Sequence, residues 1–306
     1  MMHRKKKGLL LHHGLGDAIM FMDLLDNDPG SELIVLSENT QKILFQLGKK
    51  NVVLFRWNDG IRNRYVRFLV LFLWMRFFRN IKEVVMPVGY ISKIIRFALF
   101  PILQIKSLPQ RQELLSQHDL HRKKYFGYSN SSRVRRVNLQ SISELQSFFD
   151  LKIKNPDSIV ISPFAGGDHK NISVTLAMRL LMLLNEGNKL KITIFGAEKD
   201  RNKLIPYLSE IDKSGMDCDL VTSNTVLMYD SGWFERFDLV IAADSGVAHF
   251  ISKLRVELLV LHGPTNGHWT GAEGPFVTIL QSSMACAPCQ DHNELKACSG
   301  LVSCLK

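Results

Sequence analysis

Cysteine is scarce in this chain, with five residues in 306. So few cysteines exclude a disulfide-stabilised scaffold and favour the reducing cytoplasm. Long apolar runs are scarce too. In the apolar segment 61–80 the longest run without a charge is residues 68–75, whereas a transmembrane helix needs about 20 residues. The first residues show no secretory signal pattern, and we therefore expect a cytoplasmic protein.

Three widespread motifs are also missing. Gly14-Leu15-Gly16 is followed by Ile19 at the position where the dinucleotide fingerprint has its third glycine, so NAD binding has little support. The sequence has no G-x-x-x-x-G-K-[ST] phosphate loop and no G-x-S-x-G nucleophile elbow. The sequence is therefore atypical of a P-loop nucleotidase or a serine hydrolase of the elbow type.

The composition, with 46% hydrophobic and 22% charged residues, is typical of a globular protein. At about 100–200 residues per domain, the length predicts two domains. The turn-forming Asn155-Pro156-Asp157 interrupts the apolar pattern just before a new apolar segment. We therefore expect a first domain of residues 1–154 and a second of residues 155–306.

Short apolar segments alternate with longer ones in both halves. The predicted strands are residues 9–13, 33–36, 52–55, 84–86, 158–162, 191–195, 239–242 and 258–261. Residues 174–185 predict a helix between two strands of the second half. This alternation predicts an α/β fold in which each half contains a parallel sheet covered on both faces.

Charge is unevenly distributed along the chain. Residues 1–150 contain 24 lysines and arginines against 12 acidic residues, whereas residues 151–306 contain 15 against 17. A basic first half favours an anionic partner such as a membrane surface or a phosphorylated glycolipid, although a solvated basic face is the alternative. A nucleic acid is not favoured as a partner, because no recognised binding motif accompanies the charge.

The segment 61–80 combines aromatic and aliphatic residues with five arginines. One interpretation is a helix that lies in the lipid headgroup region, with arginines on phosphates and aromatic rings at the acyl boundary. The other is a buried helix of the first domain with arginines that extend to solvent. The sequence leaves both interpretations open.

In the first half, Gly14, Gly16 and Asp17 follow a predicted strand and precede a predicted helix. A carboxylate at the carboxyl end of a strand in an α/β protein can act as a general base. The alternative for Asp17 is a helix N-cap.

In the second half, two strand ends are followed by candidate binding residues. Ala165, Gly166 and Lys170 follow the strand at 158–162, where small residues permit close approach and the lysine can face a diphosphate. Glu198 follows the next strand, where it can accept hydrogen bonds from ribose hydroxyls. The alternatives are a surface lysine and a carboxylate in the first turn of a helix.

A third strand end is followed by Asp244-Ser245-Gly246-Val247 and then His249. This pattern is typical of an anion site built from backbone amides, a hydroxyl and an imidazole. The alternative is a capped helix that contains a buried histidine.

Together these motifs resemble the ADP-heptose:lipopolysaccharide heptosyltransferase family, inverting glycosyltransferases of the GT-B fold. The resemblance covers most of the chain and implies two Rossmann-like domains facing across a cleft. It implies that Asp17 is the catalytic base beside Gly14 and Gly16 on the acceptor side. On the donor side, it implies contacts from Ala165, Gly166, Lys170, Glu198, Met228, Asp244, Ser245, Gly246, Val247 and His249. For Met228 the alternative is a core methionine. The Gly263-Pro264-Thr265 motif also matches the family.

The resemblance implies transfer of heptose or a related sugar from a nucleotide-sugar, ADP-heptose, to a lipopolysaccharide core or related lipid-linked acceptor. It implies no cofactor for the chemistry. The basic, aromatic segment 61–80 and the charge of the first half lead us to expect a peripheral position at the inner face of the cytoplasmic membrane. Three features depart from the family pattern: Asp23 replaces the usual proline, Ala165 and Gly166 replace hydroxyl residues, and the aromatic and basic segments of the first half are unlike those of a generic member. A sugar-nucleotide 2-epimerase of the same fold and a non-catalytic glycan- or membrane-binding relative are the alternatives.

Four cysteines lie near the end of the sequence: Cys286, Cys289, Cys298 and Cys304. Their spacing predicts a small structural zinc site, with free thiols or a disulfide as alternatives.

Overall fold

The computed structural model describes residues 7–10, 18–19, 22, 30–56, 64–81, 83–86, 104–107, 135–139, 149, 156–185, 190–223, 231–284, 286–289 and 303–305. The chain divides into two compact units, Met1–Asn130 and Ser131–Lys306. Each unit contains one β-sheet in which neighbouring strands run parallel.

The first unit contains the strands β1 (Lys7–Leu10), β2 (Glu32–Val35), β3 (Val52–Leu54), β4 (Glu83–Met86) and β5 (Gln104–Ser107). They form a sheet in the order β3-β2-β1-β4-β5. Its described helices are α1 (Glu38–Gln46) and α2 (Arg64–Phe77). Because β2 and β4 lie on opposite sides of β1, the chain reverses its direction across the sheet there, as in Rossmann-like folds.

The second unit contains the strands β6 (Arg135–Leu139), β7 (Ser158–Ser162), β8 (Lys191–Ala197), β9 (Cys218–Ser223), β10 (Leu239–Ala243), β11 (Glu257–His262) and β12 (Val277–Ser282). Their order is β6-β12-β11-β10-β7-β8-β9. Its helices in the described part of the chain are α3 (Val174–Leu184), α4 (Arg201–Lys213), α5 (Ser231–Phe234), α6 (Gly246–Ile251) and α7 (Gly267–Thr270).

The central strands of the second sheet are apolar on both faces. All five residues of β10 are buried, as are Ile159, Val160 and Ile161 of β7. Such strands are typical of a parallel sheet covered by helices on both faces. One covering helix is α3, whose buried residues recur every three or four positions and whose N-cap Ser173 accepts a hydrogen bond from the backbone N–H of Leu176 at 3.1 Å.

The predicted alternation of strands and helices agrees with these elements. The strand expected at 158–162 coincides with β7, and the helix expected at 174–185 ends one residue beyond α3. The predicted strands do not include β5, β6, β9 or β12. In β6 the apolar pattern is interrupted by Arg135 and Arg136, which hid an edge strand in a basic stretch.

The expected domain boundary near residue 155 differs from the observed division of the chain. Strand β6 pairs with β12, so residues before 155 belong to the second sheet. The turn-forming residues 155–157 lie between β6 and β7, inside the second unit. They mark the start of a strand rather than the start of a compact unit.

Helix α2 has features of both interpretations of segment 61–80. Leu71, Phe72 and Met75 are buried, whereas Phe77 and the following Phe78 are exposed. The rings of Trp74 and Phe55 lie 5.0 Å apart, which connects the helix to the end of β3. None of the helices in the described part of the chain combines the length and apolar character that crossing a membrane requires.

Candidate functional site

The second sheet has a topological switch point between β7 and β10. These two strands are neighbours, with Ala242 paired to Ser162 near their carboxyl ends. The next strands along the chain lie on opposite sides, β8 beside β7 and β11 beside β10. Ligands of open α/β sheets bind beyond the strand ends at such a point. The loops after β7 and β10 therefore form the candidate site.

Two candidate residues from these loops contact each other. The Nζ of Lys170 lies 3.3 Å from Oδ2 of Asp244. Lys170 ends a short 3₁₀ turn, Asp168–Lys170, and Asp244 follows β10 directly. The carboxylate is buried, with 8% of the side chain exposed, whereas 21% of the lysine side chain is exposed. The ammonium group is thus held by an anchored carboxylate and still has access to solvent.

Polar groups from two further elements surround the carboxylate of Asp244. Nε2 of His262, at the end of β11, lies 3.9 Å from Oδ1 of Asp244. Burial alone would raise the pKa of Asp244, but the charges of His262, Lys170 and His249, together with a hydrogen bond from Thr265, outweigh it and hold the pKa below its usual value. The carboxylate is therefore ionised at neutral pH.

His249 lies in α6 and is buried. Burial lowers its pKa to about 4, because the charged imidazolium is disfavoured away from water. At neutral pH this imidazole is therefore uncharged. His249 thus agrees with the alternative interpretation of this motif, a capped helix that contains a buried histidine.

Ser245 caps α6, since its side-chain oxygen accepts a hydrogen bond from the backbone N–H of Ala248 at 3.3 Å. Gly246 and Val247 are the first two residues of the helix. The predicted motif therefore lies at a helix start directly beyond the buried strand β10. This placement of the strand end and helix start agrees with the sequence pattern.

The loop after β7 is fixed by its own hydrogen bonds. The backbone N–H of Ala165 donates to Oδ1 of Asn171 at 2.9 Å, and the N–H of Ile172 donates to the carbonyl of Pro163 at 2.9 Å. A Cβ on Gly166 would meet no heavy atom within 4 Å, so this part of the loop is open to a ligand. Asn171 closes the loop that presents Lys170, and sequence reasoning did not select it.

Glu198 begins a 3₁₀ turn directly after β8. Its Oε1 accepts a hydrogen bond from Nε of Arg201 at 2.8 Å, and its Oε2 accepts one from the hydroxyl of Thr222 in β9. The bond from Arg201, followed by the bond from Thr222, lowers the pKa of Glu198. The carboxylate is exposed, so its remaining lone pairs can accept a ligand's hydroxyl groups. Arg201 and Thr222 were missed because their pairing depends on contact between β8 and β9.

The last described residues, 303–305, pack against other loops of the second unit. The backbone N–H of Ser173 donates to the carbonyl of Leu305 at 3.2 Å, and a Cβ on Gly263 would collide with Leu305 and Cys304. The 3₁₀ turn Ser303–Leu305 therefore lies against the loops that follow β7 and β11. Glycine at position 263 permits this approach.

Several predicted site residues lie outside the described residues: Gly14, Gly16, Asp17, Met228 and Cys298. Of the cysteines in the predicted zinc site, Cys286, Cys289 and Cys304 are described. Among the described residues, no group of three or more histidine, cysteine, aspartate or glutamate side chains is arranged to hold a metal ion. The zinc site remains a prediction, since its fourth cysteine is not part of that set.

Comparison with known proteins defines the class of this chain. The model of glycosyltransferase family 9 (heptosyltransferase) matches residues 88–299, more than half of the sequence. The chain therefore belongs to glycosyltransferase family 9. Over 49 residues it is 45% identical to lipopolysaccharide heptosyltransferase 1 of Pseudomonas aeruginosa, a match that covers 16% of this chain and 14% of that protein.

Solved structures share the fold over nearly the whole chain. A family 9 glycosyltransferase from Veillonella parvula has a TM-score of 0.65 at 15% identity, covering 98% of this chain and 92% of that one. E. coli ADP-heptose LPS heptosyltransferase II has a TM-score of 0.58 at 17% identity, covering 95% and 98%. E. coli heptosyltransferase WaaC, solved with ADP, has a TM-score of 0.56 at 12% identity, covering 94% and 98%. The predicted α/β fold of the GT-B class and the predicted family are thereby confirmed.

Proposed function

We propose that this protein is an inverting heptosyltransferase that transfers heptose from ADP-heptose to a lipopolysaccharide core or a related surface-glycan acceptor. Membership of family 9 supports heptose as the transferred sugar. E. coli heptosyltransferase WaaC has been solved with ADP and with ADP-2-deoxy-2-fluoro heptose, which supports an ADP-linked donor. The principal observation is the contact of Lys170 with Asp244 at the switch point of the second sheet.

In this proposal the second unit binds the donor. The ammonium group of Lys170 faces the diphosphate, while the buried carboxylate of Asp244 orients the lysine. Backbone amides around Ser245 and Gly246 donate hydrogen bonds to the same diphosphate. Glu198 accepts hydrogen bonds from the ribose hydroxyls, and Arg201 and Thr222 fix the orientation of its carboxylate.

The first unit supplies the base and the acceptor side. Asp17 removes the proton from an acceptor hydroxyl as that oxygen attacks the anomeric carbon. The bond between the anomeric carbon and the diphosphate oxygen breaks in the same step, so that ADP leaves and the configuration is inverted. Lys170 offsets the negative charge that develops on the leaving diphosphate. The role of Asp17 rests on the family resemblance, as does that of Gly14 and Gly16 beside it.

The proposed acceptor is a lipid-linked saccharide, which is presented at a membrane surface. The excess of basic residues in the first 150 positions supports contact with an anionic surface of this kind. We therefore propose a peripheral position at the inner face of the cytoplasmic membrane. In this position the acceptor saccharide would reach the first unit without leaving its lipid.

Incubation of the purified protein with ADP-heptose and a heptose-deficient lipopolysaccharide core tests the proposal. We expect release of ADP together with an acceptor whose mass increases by one heptose, and NMR of the product should show the inverted anomeric configuration. Conversion of ADP-heptose to an isomer without acceptor would identify an epimerase instead. If the protein binds no ADP and transfers no sugar, it is a non-catalytic relative. Mass spectrometry of the surface glycolipid from cells lacking the protein would identify the missing sugar and the acceptor.

A further inference from the structure

Helix α2 has a second apolar face that points to solvent. Leu71, Phe72 and Met75 are buried against the rest of the first unit. The exposed apolar residues of the segment are Val66, Leu69, Val70, Phe77 and Phe78, which we name the α2 apolar face. At 3.6 residues per turn, positions 66, 70 and 77 lie opposite positions 71 and 75. The helix thus has one buried face and one exposed apolar face.

The degree of exposure is largest at the end of α2. Phe77 is 68% exposed and Phe78 is 81% exposed. Two adjacent phenylalanines in water are unfavourable for an isolated soluble domain, and contiguous exposed apolar residues mark interaction sites. Two contacts hold this segment in place: Trp74 packs on Phe55, and Arg79, just beyond the helix, binds Glu32 through two hydrogen bonds of 3.0 and 2.5 Å. The face is therefore presented on a fixed element.

The sequence of this segment is basic; among its arginines, Arg76 lies beside the exposed Phe77, whereas Arg79 is paired with Glu32. Between Gly60 and Lys82 the sequence contains five arginines and no acidic residue. The guanidinium carbon of Arg76 lies 6.0 Å from the centre of the Phe77 ring, so a cation and an exposed aromatic ring occur together. An exposed apolar strip in a basic segment, with a guanidinium beside its most exposed helical ring, matches the headgroups and acyl boundary of an anionic bilayer. A protein partner would need complementary acidic groups, which an anionic bilayer supplies without a specific fold.

We infer that the α2 apolar face docks the protein onto an anionic lipid bilayer, with α2 parallel to the membrane plane. The 14 residues of α2 span about 21 Å at 1.5 Å per residue, too short to cross the hydrocarbon core and suitable for lying in the interface. Phe77 and Phe78 insert at the acyl boundary, and Arg76 contacts lipid phosphate. This inference does not depend on heptosyl transfer, because docking can be measured without donor or acceptor.

Co-sedimentation of the full chain with vesicles tests the docking surface. Vesicles of phosphatidylcholine with phosphatidylglycerol are compared with vesicles of phosphatidylcholine alone, at low and at high salt. We expect binding to the anionic vesicles to weaken as salt shortens the screening length from about 10 Å at 0.1 M to about 3 Å at 1 M. The double variant Phe77→Ser, Phe78→Ser should lower the partition coefficient by at least about 10-fold. Arg76→Glu should lower it by a similar factor, since each cation near the surface contributes to binding.

Matched control variants lie on α1. Phe45 is also an exposed phenylalanine, and Lys42 is an exposed cation. Neither Phe45→Ser nor Lys42→Glu should change the partition coefficient by more than about twofold, because neither belongs to the α2 apolar face. Circular dichroism shows whether each variant is folded. Phe45, Phe77 and Phe78 are exposed, so their substitution should leave the core intact.

Three results would overturn the inference. The first is equal sedimentation of wild type and the phenylalanine double variant on anionic vesicles. The second is equal binding to both vesicle types at every salt concentration. The third is a wild-type protein that binds no vesicles and is a dimer in solution, while the double variant is a monomer. This result would assign the face to a second copy of the chain. If the wild-type protein transfers no heptose to a soluble acceptor, that result contradicts the proposed function. It leaves the docking result unchanged.

Discussion

The side chains of Lys170 and Asp244 meet at 3.3 Å although they are 74 positions apart in the sequence. The aspartate is almost fully buried and the lysine is partly exposed. Removal of either group would leave the other without this ion-pair partner in a region of reduced dielectric. The pair therefore defines both the electrostatics of the candidate site and the direction of the lysine ammonium group.

Substitution Lys170→Ala should weaken ADP binding by about 10–100-fold, because a charge-assisted contact with the diphosphate is lost. Isothermal titration calorimetry with ADP provides the measurement. Lys203→Ala is the matched control, since Lys203 contacts Asp168 of the same loop at 3.3 Å but is exposed. An unchanged ADP affinity in Lys170→Ala would remove the lysine from the diphosphate site.

Glu198→Gln should weaken ADP binding by about 10-fold. The carboxylate can accept hydrogen bonds from two ribose hydroxyls, whereas the amide that replaces it has one acceptor oxygen and no charge. The same variant should bind 2′,3′-dideoxy-ADP as well as wild type does, since that ligand lacks the hydroxyls. Glu210→Gln is a suitable control, because Glu210 is an exposed carboxylate paired with Lys213 on the same unit. Equal weakening for both ligands would contradict the ribose contact.

The free energy of unfolding should fall as the pH decreases from 6.5 to about 4. In this window the unfolded state protonates His249, whereas burial holds the folded-state pKa at about 4. The difference corresponds to stability on the order of 3 kcal/mol. Asp244 adds a loss at still lower pH, because its folded-state pKa is held below its usual value and its contribution disappears once the carboxylate is protonated.

Urea unfolding at a series of pH values measures this dependence. The variant His249→Gln should show a shallower slope between pH 6.5 and 4, whereas His268→Gln, at an exposed position, should retain the wild-type slope. Identical slopes for wild type and His249→Gln would show that the buried imidazole is not responsible.

Asp17→Asn should lower turnover by about 10²–10⁴-fold and leave ADP affinity unchanged, as expected for a positioned general base. The measurements are the initial rate of heptose transfer and the ADP dissociation constant. Asp23→Asn, six positions further along the chain, serves as the control for loss of a carboxylate in the same segment. Near-normal turnover in Asp17→Asn would exclude this residue as the base.

The sequence by itself determined the α/β class, most strand positions and the strand ends after which candidate residues occur. These features are local, because alternation of apolar segments and turn residues depends on neighbouring positions. Lys170, Glu198 and Asp244 were selected in this way, each directly beyond a predicted strand or its loop. Family resemblance added the expected roles and was confirmed at the level of family and fold.

Only the tertiary structure decided which of these residues meet. Lys170 reaches Asp244 because β7 and β10 are neighbours across the switch point, with Ile159 opposite Leu239. The contact of Thr222 with Glu198 likewise requires β9 to lie beside β8. Strand pairing joins segments that are distant along the chain, and no local period encodes which strands become neighbours. The same reason explains why β6 and the two faces of α2 were settled only by packing.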